Sequence, residues 1–369
     1  MMRIALMHRS LAGGGTEADL RRTATGLAAR GHELHVFTAR PNAALPGVAV
    51  HRVPMLRAGR VARLVSFAVA APRAAARGRF DVVVGFGRTL RQDVLRVGGG
   101  THRSYLATME SAGLRPRWRG PYHRAVLWLE RRAYAASRRV LTVSRGAGAE
   151  IARDYGVGPE RIAVVYNGVD LERFRPEHRA TLGPAARQAL GIPADARVCV
   201  GIGSGFRRKG FDLLLRLWRE APPARAVLVL VGGDERLGRW QREAGALGGR
   251  AIVTGPRADV EALLAAADVA CVPSRQEAFG NVVLEACAAG VPVVTSRRVG
   301  AAELLGAPLD ALVVDDPANL GALGAALARA LGAEAPALRA AARACAETHP
   351  WAEHLDRVEA LLGEVARGG

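Results

Sequence analysis

Apolar residues in this chain come in two rhythms. Short apolar runs at residues 3–7, 33–38, 81–85, 94–97 and 140–143 have the length and composition of buried strands. Between the first two lie a glycine-rich turn at residues 13–15 and then residues 17–30. There Leu20, Ala24, Leu27 and Ala28 recur at helical spacing, and Gly31 stands at the expected C-cap. Alternation of this kind predicts a parallel sheet covered by helices. A polar, proline-bearing connector over residues 175–193 interrupts the pattern, which restarts with apolar runs at 198–203, 226–231, 251–254, 269–273 and 291–295. Helical stretches such as 259–267 and 320–333 separate these runs, and residues 351–365 read as a closing amphipathic helix. The expectation is an α/β protein of two doubly wound parallel-sheet domains facing across a crevice, residues 1–175 and 190–345. Residues 346–369 are expected to form a C-terminal helix returning toward the first domain. The 369 residues also exceed the roughly 250–300 at which a single core stops growing.

Charge sharpens the contrast between the halves. Of the net +18, residues 1–150 hold 26 arginines against 8 acidic residues, an excess of 18, whereas residues 151–369 hold 26 basic and 26 acidic residues. A basic first half implies an anionic partner: a phosphorylated substrate, a membrane surface or a nucleic acid. Cys199, Cys271, Cys287 and Cys345 sit in apolar contexts without disulfide or zinc spacing, so they read as reduced buried thiols of a cytosolic protein, and no metal site is implied. No stretch reaches the ~18 uncharged apolar residues of a membrane span, and residues 1–9 read as a strand rather than a secretory leader. The chain is expected to be soluble or peripheral.

Ligands of open parallel sheets bind beyond the carboxyl ends of the strands. In the loop after residues 198–203 stands the only lysine of the sequence, Lys209, against 51 arginines. Lysine is a compact point charge on a flexible stem and arginine a planar fork, so a position that keeps lysine in such a chain suits a phosphate cradle. Its segment is Gly203-Ser204-Gly205-Phe206-Arg207-Arg208-Lys209-Gly210. It offers backbone N–H groups, two or three cations and a helix start, all favouring a pyrophosphate, but it is not a P-loop. A second cluster, Glu277-Ala278-Phe279-Gly280-Asn281-Val282-Val283-Leu284-Glu285, places seven residues between two glutamates. Gly280 lets an anion approach the backbone at a helix start, and a carboxylate at Glu285 can accept hydrogen bonds from two vicinal hydroxyls.

The second cluster resembles the E-x7-E motif of retaining family-4 glycosyltransferases, and residues 203–210 resemble their donor-phosphate loop. Residues 13–15 with Arg30-Gly31-His32, Tyr166-Asn167-Gly168-Val169-Asp170 with Phe174 and Pro176, residues 265–268, and Ala289-Gly290-Val291-Pro292-Val293 agree with it. The resemblance spans nearly the whole chain and looks closest to the α-1,3-glucosyltransferases of lipopolysaccharide core assembly; Phe279 is typical of the wider family. It implies a GT-B fold: a Rossmann-like first domain for the acceptor and a second for the nucleotide sugar. By the same resemblance Arg208 and Lys209 would neutralise the donor diphosphate, Glu277 would hold the donor sugar and Glu285 the ribose. The amides of Gly280, Asn281 and Val282 would contact sugar and phosphate, with Gly203 and Gly205 in the phosphate loop. Gly14 and Gly15 would pass close to the donor, Asp19 would lie near the acceptor, His102 matches an active-site histidine, and Arg257 would reach the base. The implied reaction moves a hexose, glucose from UDP-glucose, to a lipopolysaccharide-core or similar anionic glycolipid, with no divalent metal and no cofactor.

A basic and aromatic stretch over residues 115–139 contains Arg115, Arg117, Trp118, Arg119, Tyr122, Arg124, Trp128, Arg131, Arg132, Tyr134, Arg138 and Arg139. Aromatic anchors among arginines mark interfacial helices, so docking on an anionic membrane is expected, at the inner face of the cytoplasmic membrane. Two rivals are a GT-B sugar-nucleotide epimerase and a basic nucleic-acid-binding protein. The second lacks any helix-turn-helix, RRM or zinc motif, and no nucleic-acid partner is expected.

Overall fold

The computed structural model describes residues 1–42, 44–113 and 120–368. It divides into two compact units: Met1–Tyr166 with Ala352–Gly369, and Asn167–Trp351.

The first unit runs β1 (Arg3–Met7), α1 (Gly15–Ala29), β2 (Glu33–Thr38), β3 (Val48–Arg52), α2 (Gly59–Ala75), β4 (Val82–Phe86), β5 (Val94–Val97), α3 (His102–Ser111), α4 (Pro121–Ala136), β6 (Arg139–Thr142), α5 (Arg145–Tyr155) and β7 (Ile162–Val164). Its seven strands are all parallel, in the order β3-β2-β1-β4-β5-β6-β7. The central strands are buried along almost their whole length, as a sheet covered on both faces requires. The outer strands β3 and β7 are only partly covered. Their weak apolar signal escapes the periodicity, which predicted neither. The last helix of the chain also packs here: a Cβ on Gly26 of α1 would lie 2.5 Å from the Leu355 side chain, so a larger residue would oblige Leu355 to shift.

The second unit runs α6 (His178–Thr181), α7 (Gly183–Ala189), β8 (Arg197–Ile202), α8 (Phe211–Glu220), β9 (Ala226–Val231), α9 (Leu237–Gly245), β10 (Ala251–Gly255), α10 (Val260–Ala266), β11 (Val269–Val272), α11 (Asn281–Ala288), β12 (Val293–Ser296), β13 (Val313–Val314), α12 (Leu320–Leu331) and α13 (Ala335–Glu347). Helix α14 (Trp351–Arg367) begins at its end and continues into the first unit. The six strands are parallel in the order β10-β9-β8-β11-β12-β13. That is the 3-2-1-4-5-6 order, whose reversal point lies between β8 and β11. The stretch expected to be a connector, residues 175–193, instead carries α6 and α7. Arg173 pairs with Glu261 at 2.7 Å, and Arg179 and Arg187 pair with Asp268 at 2.8 and 2.9 Å. These ion pairs fasten residues 167–190 to the second sheet, so their polarity marks a docked segment, not a free linker.

Among the described residues no helix is long and apolar enough to cross a membrane. Helix α4 buries Val126, Leu129, Ala133 and Tyr134, and presents Arg124, Trp128, Arg131 and Arg132 outward, Trp128 being 46% exposed. Arg115, Arg117, Trp118 and Arg119 of the basic stretch lie outside the described residues. The four cysteines are free thiols, three of them buried.

Candidate active site

The loops that follow β8 and β11, on either side of the reversal point, hold the two clusters singled out above. The β8 loop is pressed against its neighbours. A Cβ on Gly203 would lie 2.5 Å from Cε of Lys209, and one on Gly210 would lie 2.1 Å from the carbonyl oxygen of Pro273 at the end of β11. Both glycines have positive φ, +153° and +74°, so no other residue permits this path. Phe206 and Phe211 are fully buried and meet edge to face at 4.8 Å, with Phe206 also 5.8 Å from the Trp240 ring. Aromatic packing thus pins the loop between its two glycine bends.

Three charged residues meet at its tip. Oε2 of Glu277 accepts from Nη1 of Arg208 at 2.6 Å and from Nζ of Lys209 at 2.6 Å. Arg208 also donates to the carbonyls of Gln276 at 3.0 Å and Ser204 at 3.2 Å. Burial alone would push the Glu277 carboxyl up, but the Lys209 and Arg208 charges outweigh it and hold the carboxyl at about 2. Lys209, 6% exposed, is therefore a buried cation whose charge is balanced by a carboxylate shared with one other cation. One negative charge facing two positive ones leaves the site with an excess that suits an anion.

Helix α11 points its amino end at the same region. Gly280 caps it at φ +89°, where a Cβ would meet Val299 at 2.9 Å. Oδ1 of Asn281 accepts from Nδ2 of Asn167 at 2.7 Å. The first N–H groups of a helix lack intrahelical acceptors, so those of Asn281 and Val282 are available to an anion. Glu285, one turn further on, is half-buried on α11.

The remaining assigned residues divide between this loop and other parts of the fold. Gly205 lies in the same loop with φ +75°. Arg257 follows β10, and its fork is taken by Asp259 at 2.9 and 2.5 Å instead of standing free. Gly14 and Gly15 open α1 in the first unit, Gly15 with no atom within 4 Å of the space a Cβ would fill. Asp19 is 7% exposed; its Oδ2 pairs at 2.6 Å with Arg96, itself 2% exposed, and its Oδ1 lies 4.0 Å from Nε2 of His354. His102 opens α3 and is buried; its backbone N–H donates to Glu130 at 2.9 Å and its Nε2 lies 2.9 Å from Nδ1 of His123. Burial, aided by Arg88 and His123, lowers the His102 imidazole to about 3, so the ring is neutral at physiological pH.

Sequence reasoning missed the braces. Arg275 forks onto Asp212 at 2.6 and 2.9 Å, and its backbone N–H donates to the Arg208 carbonyl at 2.8 Å. Asp234 accepts from the Phe206 N–H at 2.8 Å, the Arg236 N–H at 2.8 Å and the Trp240 indole at 3.0 Å. The Gly232-Gly233-Asp234 turn at the end of β9 carried that signal: a Cβ on Gly232 would sit 1.9 Å from the Gly203 carbonyl.

Known proteins share this plan. Residues 13–173 match the family described as Glycosyltransferase Family 4, and residues 196–332 match Glycosyl transferases group 1. D-inositol 3-phosphate glycosyltransferase 1 of Catenulispora acidiphila is 35% identical over 257 residues, 64% of this chain and 59% of that protein. The chain thus spans less than two thirds of this relative. WaaG, a glycosyltransferase involved in lipopolysaccharide biosynthesis, superposes with a TM-score of 0.82 at 25% identity, covering 97% of this chain and 99% of that one. Anabaena HepE, solved with UDP and glucose, superposes at 0.72 and 20% identity over 98% and 100% of the two chains. With two parallel-sheet units in the GT-B arrangement of strands and both family signatures in place, the chain belongs to the family-4 glycosyltransferases.

Proposed function

We propose that the protein transfers a hexose, with retention of the α configuration, from a UDP-sugar to an anionic, phosphorylated acceptor. The observation that carries this is the convergence of Arg208 and Lys209 on one carboxylate beside the amino end of α11. An incoming diphosphate would exchange for Glu277 as the partner of both cations, releasing that carboxylate to accept hydrogen bonds from sugar hydroxyls. As the sugar leaves, charge grows on the diphosphate, and two preorganised cations with helix N–H groups offset it. Glu285 would take the ribose hydroxyls. In this reading no divalent ion is needed.

The excess of 18 positive charges in residues 1–150 supports an anionic acceptor. A lipopolysaccharide core exposed on the inner face of the cytoplasmic membrane fits the exposed Arg124, Trp128, Arg131 and Arg132 of α4. A small inositol phosphate is the second reading, favoured by the 35% identical relative that bears that acceptor in its name. The test is a transfer assay with UDP-, GDP- and ADP-sugars in excess EDTA, offered an inositol phosphate or a lipopolysaccharide-core fragment. Transfer from a UDP-sugar to either acceptor, undiminished by EDTA, is expected. Transfer that requires added Mg²⁺ or Mn²⁺, or none from any UDP-sugar, would overturn the reading.

A further inference from the structure

The second sheet has a second charged site at its opposite edge. Arg197 opens β8 and Asp268 immediately precedes β11, so both stand at strand amino ends. The donor loops leave the carboxyl ends of the same two strands, about 20 Å away along a six-residue strand. Here a cavity of about 340 Å³ is lined by Arg179, Arg197, Asp268 and Arg339 together with the turn joining α12 to α13.

Its charge is unbalanced. The Asp268 carboxylate is 4% exposed and accepts from Arg179 at 2.8 Å, Arg187 at 2.9 Å, Arg339 at 3.2 Å and the Val198 N–H at 2.9 Å. Three guanidiniums line the cavity, those of Arg179, Arg197 and Arg339, and Asp268 is the only acidic residue of the lining. Glu334, on the neighbouring turn, is turned onto Arg329 at 2.8 Å and does not reduce the excess. The 13-residue α13 begins at this wall, at Ala335 and Pro336, so the positive end of its dipole faces the cavity. Burial, with repulsion from Arg179, lowers the Arg339 guanidinium to about 10, the response of a cation crowded by like charge. Guanidinium forks match phosphate oxygens two by two, and a volume of this size holds a phosphorylated sugar.

We infer that this cavity binds a phosphate or phosphate-monoester dianion at a site separate from that of the sugar donor. Two sources share that chemistry: free inorganic phosphate and a phosphorylated small metabolite.

Melting temperature on the full chain tests it, with chloride at matched ionic strength as the reference and inorganic phosphate or a hexose 6-phosphate as ligand. The proteins are the wild type, the Arg208→Ala/Lys209→Ala double variant, Arg179→Gln and Arg197→Gln. Arg197 is exposed, so its replacement preserves the fold. A saturable rise of about 3 °C at tenfold excess over Kd is expected in the wild type and in the double variant, and its loss in both glutamine variants. Half-saturation at lower hexose phosphate than phosphate assigns the site to a metabolite, and the reverse order to phosphate. No saturable rise in the wild type, or a rise that survives Arg179→Gln and Arg197→Gln, or one abolished in the double variant, overturns the inference.

Discussion

Replacing Glu277 by Gln keeps the side chain's shape and removes the one charge that Arg208 and Lys209 share. The carboxyl sits at about 2 instead of the ordinary 4.5. Two and a half pH units correspond to about 3 kcal/mol of preference for the charged form. Glutamine resembles the protonated acid, so Glu277→Gln should cost the second unit about that much at neutral pH. Trp218 and Trp240, 0% and 4% exposed, report on this unit, and their emission during urea unfolding should show the midpoint falling by about 1 M. The sign follows from the depressed carboxyl: its contribution is complete above pH 4.5 and drains away as pH falls toward 2. Wild type and variant should therefore converge across that window. UDP should bind the variant at least as well, because its cations need not exchange a partner, while turnover falls for lack of a sugar ligand. Equal midpoints at pH 7, or a gap unchanged between pH 5 and pH 3, would refute the reasoning.

Lys209→Ala should lower turnover at least a hundredfold, about 3 kcal/mol of transition-state charge stabilisation, and Lys209→Arg should also be impaired; steady-state kinetics decide, and a normal Lys209→Arg rate removes the argument from the lone lysine. The first unit should lose stability as pH falls below 6.5, because His102, lowered to about 3, and His354, lowered to about 4 chiefly by burial, must take up protons on unfolding. Chemical denaturation of wild type and His102→Gln between pH 7 and pH 4 should show a shallower acid slope in the variant. Vesicle binding should rise with anionic lipid, fall with salt and weaken in Trp128→Ser combined with Arg131→Gln and Arg132→Gln; equal co-sedimentation of both proteins withdraws α4 as a docking face.

The residues that meet at Oε2 of Glu277 were legible because each broke a local habit of the chain. A lysine stands among arginines, glycines follow strands, and two carboxylates flank a helix start. Strands with two buried faces were legible for the same reason, since Val-rich runs such as residues 226–231 admit no other reading. What stayed hidden depended on partners distant in sequence. Asp234 and Arg275 look like ordinary surface charges until Phe206 and Asp212 are brought beside them. Asp19, singled out through the family resemblance, likewise has a partner that its own stretch of sequence does not show, the Arg96 brought by β5. The residues of α6 and α7 were read as a connector because their arginines, which bond carbonyls and Asp268, resemble solvent-facing polarity.

The first unit is discontinuous, with the whole of Asn167–Trp351 inserted before its last helix. During synthesis the second unit emerges as one uninterrupted stretch and can fold as soon as it clears the ribosome. The first must wait with Gly26 exposed until Leu355 arrives, and with Asp19 still lacking His354, whose Nε2 finally rests 4.0 Å away. Translation order thereby sets folding order: the half that holds Glu277 matures before the arginine-rich half is sealed. A chain released near residue 350 should carry a finished second unit beside a first unit with an open apolar flank, the kind of surface that chaperones and proteases recognise.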